Sequence, residues 1–455
     1  MASSRKPKRA DRADWDLLPR VSAQLAELVP PNSSVLVGLS GGIDSIVLLD
    51  LLKRFAARKR LRLCALHVNH QLQVHAADWV KFCRRLCRQQ GVPLRVVKVE
   101  VERRNSVERA ARDARYDALL KQRTDFVALA HNQDDQAETL LLHLLRGAGI
   151  RGLAGMRVVA EPPVRAIRPS SVRVLRPLLD VPRSAITRYA EQRKLEWIED
   201  PSNASPDFTR NFLRGEILPL LAGRFPAYRQ ALSRAACHAA EAADLLDALA
   251  CMDAVDADRE TLAIASLRAL PAARAKNALR YFLFRHGVEI PSAERLEEAL
   301  RQVLDARSDA QVRIDFGERQ LRVHRGVLAL VPRVSSARHV EKVWRGEVQL
   351  DVPELGGTLR MRKSRGSGLS AARLHACTVT IRGRSGGERL RVHAAGATRT
   401  VKNLMQEARM PTWERDRLPF IYCGDELVCV PGLAIASAYR AAPSEPSIEP
   451  VWHTR

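Results

Sequence analysis

Ser40-Gly41-Gly42-Ile43-Asp44-Ser45 stands at the junction of an apolar run, Val35 to Leu39, and a segment from Ser45 to Arg58 whose apolar residues Ile46, Leu49, Leu52 and Phe55 recur at three- and four-residue spacing. The run reads as a buried strand and the segment as an amphipathic helix. Two adjacent glycines between them let the backbone turn tightly and bring its N–H groups close to a ligand, and the helix N-terminus behind adds partial positive charge. Ser40 and Ser45 contribute hydroxyls. Together these form a cradle for phosphate oxygens at the carboxyl edge of a parallel sheet. Asp44 does not suit a bare anion cradle, because a carboxylate repels phosphate unless a cation lies between them; Mg²⁺ is the natural cation. A tight turn whose serine caps the helix is the simpler alternative, disfavoured by five fixed positions in a strand-then-helix context. The loop lacks the Gly-Lys-Ser/Thr ending of a Walker-type loop and is not a dinucleotide fingerprint.

The pattern continues outward from this junction. Further apolar runs at Leu61 to Val68, Leu94 to Val99 and Phe126 to Ala130 alternate with helical segments at Ala76 to Gln90 and Ser106 to Gln122. Such a βαβ series predicts an α/β domain built on a doubly wound parallel sheet. A strand near Val174 to Leu175, a helix from Arg183 to Lys194 and the turn Asp200-Pro201-Ser202-Asn203 complete a catalytic domain over 15–222, preceded by a basic arm over 1–14. Residues 223–333 predict a mainly helical domain, with helices at Gln230 to Ala250, Ala272 to His286 and Ser292 to Leu304 and strands at Gln311 to Ile314, Gln320 to His324 and Val327 to Val331. Beyond a linker at Arg333 to His339, residues 340–455 predict a small α+β domain with one helix near Val401 to Arg409; the Pro-containing end, Pro443 to Pro450, is expected to fray.

Composition bounds the partners. The 455 residues carry 74 Lys+Arg against 51 Asp+Glu, a net charge of +23, which creates a long-range field that attracts a polyanion such as nucleic acid. Only 12 of those basic residues are lysine, so biased codon usage is an alternative source of the excess. No run of 18 apolar residues and no secretory h-region occurs, so a cytoplasmic protein without a membrane partner is expected. Eight cysteines, with no CxxC pair, are too few for a disulfide framework and lack zinc or iron–sulfur spacing.

Two more constellations fall at strand carboxyl ends, on the same edge as the glycine loop: His67-Val68-Asn69-His70, and His131-Asn132-Gln133-Asp134-Asp135-Gln136-Ala137-Glu138-Thr139. Asp135 and Glu138 are three apart at a helix start, hence on one face, where they can hold Mg²⁺ or an amine. Helix capping by Asp134, with acidic residues complementing the dipole, is the simpler reading of that stretch. Glu108, Arg112, Arg115 and Tyr116 on the third helix, and Arg210, Asn211 and Arg214 further on, offer guanidinium groups to neutralise phosphoryl charge; a solvated helix face is their alternative.

The glycine loop resembles the PP-loop of the N-type ATP pyrophosphatases, which cleave ATP between the α- and β-phosphates. Together with His67 to His70, the Glu108 to Tyr116 helix, Asp134 to Thr139, the loop Arg146 to Met156, Asp200 to Asn203 and Arg210-Asn211, it resembles the tRNA(Ile)-lysidine synthetase family. Asn277 to Arg280, Arg384 to Glu388, Lys402 and Pro411-Thr412-Trp413 extend the resemblance over nearly the whole chain. Asn132 departs from the family, which often has a second histidine there. The resemblance implies ATP-dependent joining of free L-lysine to C2 of the wobble cytidine of tRNA(Ile) with a CAU anticodon, through an adenylated base. It implies that Ser40, Gly41, Gly42, Ile43, Asp44, Ser45, His67 and His131 bind ATP and that Asp44 and Asp135 hold Mg²⁺. Glu138 would bind or deprotonate the lysine ammonium, a role Asp135 could share, and Arg112 and Arg210 would stabilise phosphoryl charge. A homodimer is left open.

Within the same fold, tRNA thiolation enzymes need a cysteine pair that this chain lacks, and small-molecule amidating synthetases have no need for the charge or the two extra domains. A non-catalytic RNA-binding protein is the rival from another class; carboxylates facing a phosphate cradle argue against it.

Overall fold

The computed structural model describes residues 17–70, 76–99, 107–161, 172–199, 209–253, 261–288, 290, 292–307, 312–333 and 340–454. The arm at 1–14 and the turn at 200–203 lie outside them, as does the side chain of Glu108. The chain divides into two compact units, Met1–Leu249 and Ala250–Arg455.

In the first unit, β1 (Ser34–Gly38), β2 (Arg62–Asn69), β3 (Leu94–Lys98), β4 (Phe126–Ala128), β5 (Val159–Ala160) and β6 (Arg173–Leu175) form a sheet in the order β3-β2-β1-β4-β6-β5. Every pairing is parallel except β5 against β6 at the edge. The expected doubly wound sheet is the one observed. Val35 and Val37 of β1 enter one apolar cluster and Leu36 enters the other, as burial on both faces requires. The helices are α1 (Leu17–Leu28), α2 (Ile43–Lys59), α3 (Ala76–Gln90), α4 (Val107–Leu120), α5 (Gln133–Leu145) and α6 (Arg183–Gln192). Because α2 is packed on most of its circumference, Asp50, its most buried carboxylate, needs partners; it accepts from the hydroxyl of Tyr189 on α6 (2.7 Å). Strand order reverses between β1 and β4, which opens a crevice at their carboxyl ends, the place where ligands of open α/β sheets bind. A helical stretch over 209–224 contains a π turn, Leu213–Ile217, and α7 (Tyr228–Met252) crosses the division between the units.

The second unit opens with a four-stranded antiparallel sheet, β7 (Thr261–Ala263), β8 (Arg313–Phe316), β9 (Arg319–His324) and β10 (Val327–Pro332), in the order β7-β10-β9-β8. Phe282 and Leu283 of α9 (Ala272–Arg285) and Leu300 of α10 (Ala293–Leu304) share its core, together with Leu267 of the short α8 (Ile264–Arg268). Two antiparallel sheets follow. One is β11 (Glu341–Trp344), β15 (Val379–Arg382), β18 (Phe420–Cys423), β19 (Glu426–Val430) and β20 (Ala434–Ile435); the other is β12 (Gln349–Val352), β13 (Gly357–Arg365), β21 (Pro446–Thr454) and β14 (Leu369–Ser370). A small ribbon, β16 (Arg389–Leu390) with β17 (Arg399–Thr400), leads into a helix at Val401–Glu407.

The Pro443 to Pro450 segment does not fray. From Pro446 it forms β21, which pairs with β13 along nine residues, Gly357 with Thr454 through Arg365 with Pro446. Its prolines are tolerated because Pro446 opens the strand, and Pro450 lies beyond Ser447 and Ile448, the two residues that pair with β14 on the other side. The sulfurs of Cys377 and Cys423 are bonded, with Cα atoms 5.6 Å apart, a single crosslink and no framework. Among the described residues no helix is long and apolar enough to cross a membrane.

Candidate active site

β1 delivers the glycine loop to the crevice and β4 delivers His131 with the start of α5. Gly41 has φ +93°, a conformation that L side chains rarely adopt, and a Cβ there would lie 3.2 Å from Ile198 Cδ1. Gly42 caps α2 with extended backbone. The loop is closed by its own hydroxyls: Gly41 N–H donates to Ser45 Oγ (3.2 Å), Gly42 N–H to Ser40 Oγ (3.3 Å), and Ser45 donates to the Gly42 carbonyl (2.8 Å). Ile43 sends its side chain into the core, leaving its backbone to the loop.

Asn132 is the N-cap of α5. Its Oδ1 accepts from Asp135 N–H (3.1 Å), and Asp135 Oδ2 accepts from Asn132 N–H (3.0 Å), a complete capping box. The same side chain donates through Nδ2 to Asp44 Oδ1 (3.0 Å). Asn132 therefore holds both carboxylates expected at a metal, Asp44 through its side-chain Nδ2 and Asp135 through its backbone N–H, and the cap is Asn132 rather than Asp134. Asp134 instead accepts from Arg183 N–H (3.0 Å) and pairs with Arg229. Burial pushes the Asp44 carboxyl above its ordinary range; the Arg183 charge opposes this and the Asp135 charge adds to it.

Glu138 lies one turn further along α5 with 1% exposure. Arg214 takes both of its oxygens, Nε to Oε1 at 2.7 Å and Nη2 to Oε2 at 3.0 Å, and Nη2 also reaches Asp135 Oδ1 at 3.3 Å. Arg214 sits on the π turn, a widened helical turn common at functional sites. Burial raises the Glu138 carboxyl, while the hydrogen-bonded guanidinium pulls it back.

The three histidines of the site, His67, His70 and His131, are all pushed toward the neutral form. Burial lowers His67, whose Nδ1 donates to the Leu39 carbonyl (2.9 Å) and so ties β2 to the loop. His70 is pushed down to about 4 by burial and by Arg115, whose Nε donates to its Nε2 at 3.3 Å. His131 is pushed down to about 3 by burial and then by Arg176, Arg112, Arg210 and Arg115. The structure thus gathers Asp44, Asp135 and Glu138 around Asn132 and Arg214, and Arg112 and Arg210 around His131. Arg112 also lies over the Tyr116 ring, 5.8 Å from its centroid.

Sequence reasoning missed Arg176 and the bridging role of Asn132. Arg176 directly follows β6, so a charged residue at a strand carboxyl end on the crevice side was the available signal. Asn132 offered only its place one residue before a helix.

Three family models match the chain: "PP-loop domain" over residues 17–221, "TilS substrate binding domain" over 262–329 and "TilS substrate C-terminal domain" over 379–452. Proteins of Nitrosomonas europaea and an Azoarcus species, both named tRNA(Ile)-lysidine synthase, are 40% identical to it over 430 and 429 residues, covering 93% and 94% of this chain and 93% of each relative. One of the same name from Coxiella burnetii is 37% identical over 422 residues, 91% of this chain and 92% of its own. Matched from the glycine loop at β1 to the last strand, the chain belongs to the tRNA(Ile)-lysidine synthase family.

Proposed function

We propose that this protein uses ATP to join the ε-amine of free L-lysine to C2 of the wobble cytidine in the CAU anticodon of tRNA(Ile), releasing AMP and pyrophosphate and leaving lysidine. The product pairs with A instead of G, so the tRNA reads AUA rather than AUG. The observation that carries the reading is the meeting of a glycine loop with Asp44, Asp135 and Glu138 at one crevice, in a chain similar to lysidine synthases over nine-tenths of its length.

In the first step the cytosine O2 attacks the α-phosphorus of ATP and the bond to pyrophosphate breaks. Gly41 and Gly42 N–H groups serve the phosphates once Ser40 and Ser45 rotate away, since phosphate oxygens replace hydroxyl oxygens as acceptors. Asp44 and Asp135 suit Mg²⁺: two neighbouring carboxylates, one raised by burial and by the charge of the other, match an ion that takes one or two carboxylates plus substrate phosphates. Among the described residues no cluster of three or more His, Cys, Asp or Glu suits a metal held by protein alone. When bound, the ion would neutralise charge developing on the departing pyrophosphate. In the second step the lysine amine attacks C2, and the C2 oxygen leaves with AMP. The ammonium must first lose a proton, for which Asp135, or Glu138 once Arg214 releases one of its oxygens, is the acceptor within the crevice. Arg112 and Arg210 neutralise the phosphate of the adenylated base. The reaction belongs in the cytoplasm, where the net charge of +23 serves to hold the tRNA by its phosphates.

Product analysis tests the first step. ATP incubated with the protein, Mg²⁺ and total tRNA should yield pyrophosphate only when tRNA is present, with the AMP moiety held on the RNA until lysine is added. ADP and phosphate, or turnover indifferent to tRNA, would overturn it.

A further inference from the structure

Arg176 is only 7% exposed, and its hydrogen bonds go to neutral acceptors. Nε donates to His131 Nδ1 (3.2 Å), Nη1 to the Arg157 carbonyl (2.9 Å) and Nη2 to Tyr116 Oη (3.2 Å). These three contacts tie the end of β6 to the end of β4, to α4 and to the segment before β5. A guanidinium has no lone pair to offer, so every atom it meets at these distances must accept. His131 Nδ1 therefore carries a lone pair, the ring is neutral, and its single N–H is on Nε2. Tyr116 Oη likewise accepts, which leaves its own proton for another group.

The charged groups acting most strongly on the ring have one sign: Arg112 and Arg115 from α4, Arg210 from the segment at Thr209–Phe212, and Arg176 itself. An imidazolium would add a further positive charge to this set in a desolvated place. We propose that Arg176 is a positioning residue that holds His131 as a neutral Nε2–H donor at the carboxyl end of β4. The arginines then supply charge to an anionic group in the crevice while His131 supplies one directional hydrogen bond and no proton. The inference rests on the proposed lysidine reaction for the identity of the oxygen that His131 meets, either on the α-phosphate or on the cytosine; the state of the ring is a property of the protein alone.

Ring nitrogen NMR of the full chain carrying ¹⁵N-histidine, with the His131 signals identified by their loss in His131→Gln, reads that state without substrate. Between pH 5 and pH 8 the wild type should show a protonated Nε2 and an unprotonated Nδ1. Arg176→Met should release the ring into a mixture of tautomers and lower the rate of AMP release at least tenfold, with tRNA affinity held within twofold. Arg176→Lys, which keeps a donor and a charge, should restore the tautomer and part of the rate. A protonated Nδ1 in the wild type, an imidazolium at pH 6, or an Arg176→Met ring spectrum identical to the wild type overturns the proposal. If Arg176→Met does not fold, the wild-type and Arg176→Lys spectra decide. A wild type that makes no AMP defeats the lysidine reading and leaves the ring measurement standing.

Discussion

Asp44→Asn should reduce tRNA-dependent release of AMP and pyrophosphate by at least about 1,000-fold, equivalent to about 4 kcal/mol of barrier, while tRNA affinity stays within about twofold. The substitution is nearly isosteric, and the amide oxygen of an asparagine at position 44 can still accept from Asn132 Nδ2, which now lies 3.0 Å from Asp44 Oδ1. The loop geometry is set by Gly41 and the serines and does not depend on the charge. What disappears is one of two carboxylates positioned for the cation of the nucleotide. The comparison needs both quantities at one salt concentration, with AMP quantified chromatographically and tRNA binding by filter retention. Parallel loss of both would mean that the loop is a structural element, and retention of both would remove Asp44 from the chemistry.

Arg214→Ala should cost about 3 to 5 kcal/mol of stability and abolish lysine transfer, because it strands a carboxylate at 1% exposure. The pH dependence follows from burial, which raises the Glu138 carboxyl. Without its partner the folded protein holds a proton on Glu138 that the unfolded chain releases above about 4.5, so the variant loses stability as pH rises from there toward the elevated folded value. Urea titrations at pH 5 and pH 8 should therefore find Arg214→Ala closer to wild type at pH 5. Replacing both partners with apolar residues, Glu138→Leu with Arg214→Met, should recover much of the stability and none of the transfer. An Arg214→Ala protein as stable as wild type at pH 8 would show that the pair is not closed in solution.

What could be read from the sequence followed from local chemistry. The glycine loop, the five parallel strands and the amphipathic helices each declare themselves within about twenty residues, and strand order places Ser40 and His131 at one crevice once the crossovers are right-handed. Pairings across long separations did not declare themselves. Asp134 reads as a helix cap, yet its partners, Arg183 and Arg229, come from segments 49 and 95 residues away. The chain end reads as frayed because its prolines are visible locally, whereas β13, with which it pairs, lies more than eighty residues earlier. Arg214 is one of many arginines until the π turn brings it against Glu138. Arg112 and Arg210 are legible in the sequence as candidates for phosphoryl charge; that both act on His131 requires the fold.

The central claim is that one crevice adenylates a cytidine and then delivers lysine to it. Labelled lysine should be incubated with the protein, ATP, Mg²⁺ and total tRNA, and the label followed into RNA. The account predicts an RNase-sensitive product that requires ATP, accumulates with one AMP per lysine, and fades steeply as added salt weakens tRNA binding. Tight tRNA binding with ATP present and no lysine in the RNA would contradict it.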